Sequence, residues 1–198
     1  MIASLLSSVG AASNAGLNST LALLILALAD RFTTRIDLAS PYSGISSAIA
    51  IVVILLLLPI ELIADKMPTI DALSDRVHTV IRPLVGGFMA MAIASAHRPD
   101  GINVWMAGML GLVAAAGVHW YKMQARPVVT TATNGMGNPF LSIAEDLVVI
   151  VGTVASIFVP YVAIPVMAVL LWMVYRLTER MKRGEFRIEA LLGVKPRA

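Results

Sequence analysis

Apolar residues run unbroken for long stretches of this chain, and the polar positions are gathered into short segments between them. Residues 48–60, 85–96, 104–118 and 147–175 contain no Asp, Glu, Lys or Arg. A bilayer core of about 30 Å is crossed by about 20 helical residues. Backbone placed in lipid must find its hydrogen bonds inside the chain, which leaves helices or a closed barrel. The runs are continuous rather than alternating, so they predict helices. Residues 17–31, extended by 2–12, form the first predicted span, followed by 44–64, 78–96, 103–122, 139–159 and 160–181. The expected fold is all-α, a multi-pass transmembrane bundle of about six spans, with residues 1–198 as a single integral membrane domain.

Composition agrees with the pattern. The chain is 58% hydrophobic and only 14% charged, with a mean hydropathy of +0.83, whereas soluble domains carry about 25% charged residues. A cytosolic enzyme domain, a nucleic-acid binder and a secreted disulfide scaffold are excluded on these grounds. The absence of cysteine removes thiol catalysis, Cys-zinc sites and disulfides. The sequence carries no Gly-rich phosphate loop, Gly-x-Ser-x-Gly elbow or His-Glu-x-x-His zinc helix, so neither enzymatic activity nor a cofactor is expected.

The net charge of +3 belongs largely to one end, because seven of the fifteen basic residues follow Tyr175. Residues 182–198 mix Phe186, Ile188, Leu191, Leu192 and Val194 with these bases and read as a cytoplasmic tail lying on an anionic membrane surface. No Lys or Arg precedes the first apolar stretch, and Ser7, Ser8 and Gly10 interrupt it, so Met1 is expected to start the mature protein. With six crossings and an inside C-terminus, twelve Lys and Arg residues face the cytoplasm against Arg31, Arg35 and Arg98 outside. Both termini are therefore expected in the cytoplasm, in the inner (plasma) membrane.

Two stripes of small residues suggest how the third and fourth spans pack. Gly86, Ala90 and Ala94 recur every four residues, as do Ala107, Gly111 and Ala115, and helices lined this way approach closely. An internal echo is also present. Asn14 and Asn18 stand in a segment resembling that of Asn134 and Asn138, 120 residues later, and each segment leads into two apolar runs. Units of about 12–67 and 132–181 are thus expected to be a parallel duplication. The Asn segments read either as broken or re-entrant helices lining a polar cavity or as ordinary N-caps supplied by Asn18 and Asn138.

Ionisable residues at membrane depth supply the candidate chemistry. Glu61 and Asp65 are four apart on one helix face, just after Pro59. Glu145 and Asp146 lie about two turns beyond Pro139. Charges within a span normally face the bundle interior and mark ion or substrate paths. The alternative is an ion-pair network with Lys66, Arg76, Arg82, Lys122 and Arg126. His119, three residues before Lys122, reads as an interfacial or hydrogen-bonded side chain rather than a metal ligand.

Glu61-Leu62-Ile63-Ala64-Asp65-Lys66-Met67-Pro68, Arg82-Pro83-Leu84 with Gly86-Gly87, and Asn138-Pro139 followed by Ser142 and Glu145-Asp146 together resemble the membrane family catalogued as domain of unknown function 4126. The resemblance implies a small multi-pass membrane protein of bacterial type with relatives in plants, and brings no activity. The residue-level expectation is a transporter or channel-like protein for a cation, proton or small polar solute. Its cavity is expected to involve Asn18, Glu61, Asp65, Lys66, Lys122, Arg126, Asn138, Glu145 and Asp146. A flippase- or scramblase-like protein holding phosphate head groups on Lys66, Arg82, Lys122 and Arg126 is a second reading, and a scaffold whose carboxylates are merely paired is a third. The expected partners are the lipid bilayer and a small solute, with no nucleic acid.

The charge asymmetry makes a direct prediction. Reporter fusions should place Pro41 outside and the C-terminus inside, with His97 on the opposite face from Lys122. An external C-terminus would reverse the sidedness of every polar group named above.

Overall fold

A computed structural model describes residues 1–65, 68–97 and 102–183. They form α1 (Ile2–Ala15), α2 (Ser19–Phe32), α3 (Ala48–Ala64), α4 (Pro68–Ala96), α5 (Val104–Thr133), α6 (Asn138–Phe158) and α7 (Pro160–Lys182). A 3-10 turn at Tyr42–Ser46 precedes α3, and no strand occurs among the described residues. The Arg76–Ala96 part of α4, all of α5 and all of α6 are long and apolar enough to cross a bilayer. The described residues form an all-helical membrane protein.

The centre of the bundle is a long hairpin of α4 and α5. Gly86 has its missing Cβ position 2.4 Å from Ala115 Cβ, and that of Gly111 lies 2.4 Å from Ala90 Cβ and 3.1 Å from Ala12 Cβ. The two small-residue stripes therefore face each other, as their spacing implied, and α1 enters the same contact through Ala12. Both helices outrun the apolar segments that announced them. α4 starts at Pro68 and α5 continues to Thr133, with Pro83 and Pro127 inside them. Charged residues need not end a membrane helix when other helices supply counter-charges, and α5 keeps Lys122 and Arg126 buried within its length.

The role of α1 differs from the expected extension of the first span. Its 14 residues rise only about 21 Å, less than the bilayer core, and it packs against α4, α5, α6 and α7. Ser4, Ser7, Ser8, Gly10, Ala11, Ala12, Asn14 and Ala15 are all buried. A helix this small and polar gains little from lipid, and its narrow surface fits where bulkier side chains would hold helices apart. α3 is its opposite: Val52, Val53, Leu55, Leu56, Leu57 and Ile60 are exposed, an apolar surface suited to acyl chains.

The link between α2 and α3 is tied to the end of α2. Asp30 Oδ1 accepts from the Leu38 amide at 2.7 Å, Ser46 Oγ donates to Asp30 Oδ2, and Arg31 donates to the Ser46 carbonyl at 2.8 Å. Ile36 and Leu38 are buried beneath it. At the other end of the chain α6 and α7 are separated by Val159 alone and form an antiparallel hairpin. Residues 184–198, most of the predicted tail, lie outside the described residues.

Close packing in the central hairpin can be tested within α5 itself. Gly111→Leu should destabilise the protein by about 1–3 kcal/mol or more through overpacking. Gly117→Leu, at a position with nothing within 4 Å, should leave the detergent melting temperature almost unchanged. Equal melting temperatures for the two variants would contradict the packing described.

Candidate functional site

The stripes that join α4 to α5 change character along their length. On α4, His78 and Arg82 precede Gly86, Ala90 and Ala94 at four-residue intervals; on α5, Ala107, Gly111 and Ala115 are followed by His119, Lys122 and Arg126 at three- and four-residue intervals. The hairpin is antiparallel, so small residues meet at one end and basic residues gather at the other. Among the described residues, Arg82, Lys122 and Arg126 converge there on Glu61 and Asp65 from α3 and its C-cap and on Glu145 from α6. All six side chains are between 0% and 4% exposed.

Asp65 is the hub. Its Oδ2 accepts from Lys122 Nζ at 2.5 Å and lies 3.5 Å from an Arg126 nitrogen, and its Oδ1 accepts from Arg82 at 3.4 Å. Glu61 accepts from Arg82 at 3.0 Å and lies 3.7 Å from His78 Nε2. Glu145 accepts from Arg126 at 2.6 Å and lies 3.5 Å from Lys122 Nζ. Three carboxylates thus face two guanidinium groups and one lysine. Arg82 also contacts His119 Nδ1 at 3.1 Å; a guanidinium only donates, so this imidazole nitrogen is the acceptor.

The same groups satisfy helix ends that would otherwise leave backbone unpaired. Between α1 and α2 the helix is interrupted at Gly16-Leu17-Asn18, where a Cβ on Gly16 would lie 2.4 Å from the Ala115 carbonyl oxygen. Lys122 Nζ donates to the Leu17 carbonyl at 2.8 Å, and Glu61 accepts from the Thr20 amide at 3.1 Å. Asn18 caps α2 by accepting from the Leu21 amide at 2.9 Å, and its own amide donates to Asp146 at 3.0 Å. Arg126 donates to the Asp65 carbonyl at 2.6 Å, closing the end of α3. Negative groups therefore sit at the start of α2 and positive groups at the end of α3, the signs that the helix dipoles favour.

Of the residues expected to line a cavity, Asn18, Glu61, Asp65, Lys122, Arg126 and Glu145 meet in this cluster, and Asp146 joins through Asn18. They meet as a packed assembly with cations between the carboxylates. Asn138 does other work: its side chain pairs with Thr130 Oγ1 at 2.9 and 3.2 Å across the turn between α5 and α6. In that turn Asn134 and Gly135 take left-handed φ values of 50° and 83°, and Gly137 occupies the N-cap of α6. The two Asn pairs of the echo are therefore not equivalent. Lys66 lies outside the described residues. The Leu17 carbonyl and Thr20 amide left no mark in the sequence because they are backbone groups, whereas the three-residue spacing of His119 and Lys122 was visible there.

A polar lane leads away from the cluster between α1 and α6. Ser7 Oγ donates to the Ser156 carbonyl at 2.6 Å, while Asn18 meets Asp146. Eleven residues along the first segment thus match ten along the second, running in opposite directions. Ser4, Ser8, Asn14, Ser142 and Thr153 are buried. Their hydroxyl or amide oxygens find no hydrogen-bond partner among the described residues. Among those residues no group of three or more His, Asp or Glu is placed to hold a metal ion.

The chain belongs to the family described as Domain of unknown function (DUF4126), whose model matches residues 5–180. No curated protein and no solved structure matches it.

Removing one member of a buried ion pair costs about 3–5 kcal/mol, because the partner is stranded. Asp65→Asn should therefore lower the detergent melting temperature more than Asp146→Asn, and adding Lys122→Met to Asp65→Asn should restore part of the loss by rebalancing the charge. Independent, additive losses in the double variant would show that these two groups are not coupled.

Proposed function

We propose that this member of the family is a small transporter or channel-like protein for a monovalent cation or proton, with Asp65 as the exchanging carboxylate. The single observation that carries this reading is the environment of the Lys122 ammonium. It is held by a carbonyl freed at a helix break, Leu17, by Asp65 Oδ2, and at 3.5 Å by Glu145. Carbonyls of interrupted helices together with carboxylates are the ligands that transporters offer to coupling ions. Lys122 therefore acts as an internal cation occupying the place that an incoming ion would take. Protonation of Asp65, or arrival of a metal cation beside it, would release Lys122 and loosen the joint between α1, α2 and α3. The lane of buried hydroxyls between α1 and α6 offers such an ion oxygen ligands beyond the cluster.

In this reading α2 to α7 make the six crossings, and α1 runs antiparallel to α6 and ends at the break from which α2 runs back. The C-terminus lies in the cytoplasm, the start of α1 lies toward the opposite face, where Leu5 packs with Ala94 and Ile102, and the protein resides in the inner membrane. Units 12–67 and 132–181 are a parallel duplication, each opening on a helix break and continuing as two helices. Asn18 of the first unit meets Asp146 of the second. The lipid-handling alternative draws less support from the geometry, since Arg82, Lys122 and Arg126 are already engaged by carboxylates. The scaffold alternative is an outcome of the test.

A ligand that binds the folded state raises its melting temperature, so stability and flux can be read together. Purified protein should melt higher in one of Li⁺, Na⁺ or K⁺, or show a pH-dependent gain. Proteoliposomes should then pass that same ion down its gradient, and Asp146→Asn should reduce flux with little loss of stability. Ion-independent melting together with liposomes as tight as empty ones would overturn the transport reading and leave the scaffold.

A further inference from the structure

The outer face of the α6–α7 hairpin carries a groove of about 600 Å³ lined by Ala144, Leu147, Val148, Val151, Trp172 and Met173, with Arg176 and Arg180 among its walls. A second recess of about 200 Å³ shares Arg176 and Arg180 and adds Tyr175, Glu179 and Arg183. An apolar slot thus leads into a niche holding three guanidinium groups and one carboxylate. Arg183 lies 3.9 Å from Glu179, and the Arg176 guanidinium is stacked 5.1 Å over the Trp172 ring, which presents its charge at the junction of slot and niche.

We infer that this is a binding site for an anionic glycerophospholipid, with an acyl chain along the slot and the phosphodiester in the niche between Arg176 and Arg180. Charge complementarity selects this occupant. The niche carries a net positive charge, and arginine forks match phosphate oxygens in pairs. The slot offers a hydrocarbon chain what a soluble anion does not need. Aromatic and basic residues mark the head-group level of a membrane protein, and Trp172, Tyr175, Arg176 and Arg180 follow one another there along α7. The site uses none of the buried cluster, so it stands or falls independently of ion transport.

The test is native mass spectrometry of the full chain released from detergent, titrated with dioleoyl phosphatidylglycerol, dioleoyl phosphatidylcholine or glycerol phosphate. Phosphatidylglycerol should bind with one-to-one stoichiometry, phosphatidylcholine much more weakly, and glycerol phosphate not measurably. R176Q/R180Q should weaken phosphatidylglycerol roughly 30-fold, taking about 1 kcal/mol for each basic residue at a membrane surface. V151W, which fills the slot and keeps every charge, should weaken it as well, and R35Q should not. Equal affinity for both lipids overturns the proposal, as does glycerol phosphate binding as well as the lipid. Loss in the arginine variant without loss in V151W reduces the site to surface attraction and also overturns it. A predominantly dimeric mass that V151W converts to monomer would assign the groove to a second copy and refute the lipid.

Discussion

The carboxylate of Asp65 is the interaction on which the rest of the structure depends. A charge moved from water into a protein interior loses several kcal/mol of solvation that only close counter-charges and hydrogen bonds restore. Arg82, Lys122 and Arg126 each face that problem, and each has Asp65 within 3.5 Å. Glu61 and Glu145 complete the balance from either side. Without Asp65 three cations would share two carboxylates, and α3, α4 and α5 would lose the group that each of them touches.

Backbone is drawn into the same balance. The break after α1 exposes a carbonyl and an amide, and the cluster answers both, through Lys122 at Leu17 and Glu61 at Thr20. The helix can be interrupted because the charges are there, and the charges can be buried because the break supplies further partners. Such mutual dependence couples any event that changes the charge of one member to the position of α1. That helix packs against α4, α5, α6 and α7 together, so a change at its end is felt through the bundle. The lipid niche on α7 lies on a separate surface and answers to a different solvent.

Much of this was legible from residue order alone. Long uncharged runs exclude a water-soluble fold because there is too little polar surface to coat it, and that argument needs no coordinates. The four-residue recurrence of Gly86, Ala90 and Ala94 and of Ala107, Gly111 and Ala115 identified the faces that pack, since helical spacing places such residues in line. Pairing of Glu61, Asp65 and Glu145 with bases was also foreseeable, because isolated charge is not tolerated at that depth. Helix ends were read less well: α4 was expected to start at His78 and starts at Pro68, and α5 was expected to stop at Lys122 but continues, with partners for Lys122 and Arg126 coming from other helices.

Residue order by itself determined that the chain belongs in a membrane, that it is helical, and which faces carry small and ionisable side chains, because these follow from local spacing and transfer free energy. Tertiary structure alone decided which acid meets which base, that Asn18 caps and reaches Asp146 while Asn138 turns to Thr130, and that α1 lies inside the bundle. The physical reason is that those choices rest on backbone groups and on contacts between different helices, some of them more than a hundred positions apart in the chain, such as Leu17 with Lys122 and Ser7 with Ser156. No local pattern encodes such pairs; the packing of the α4–α5 hairpin against α1 brings them within reach.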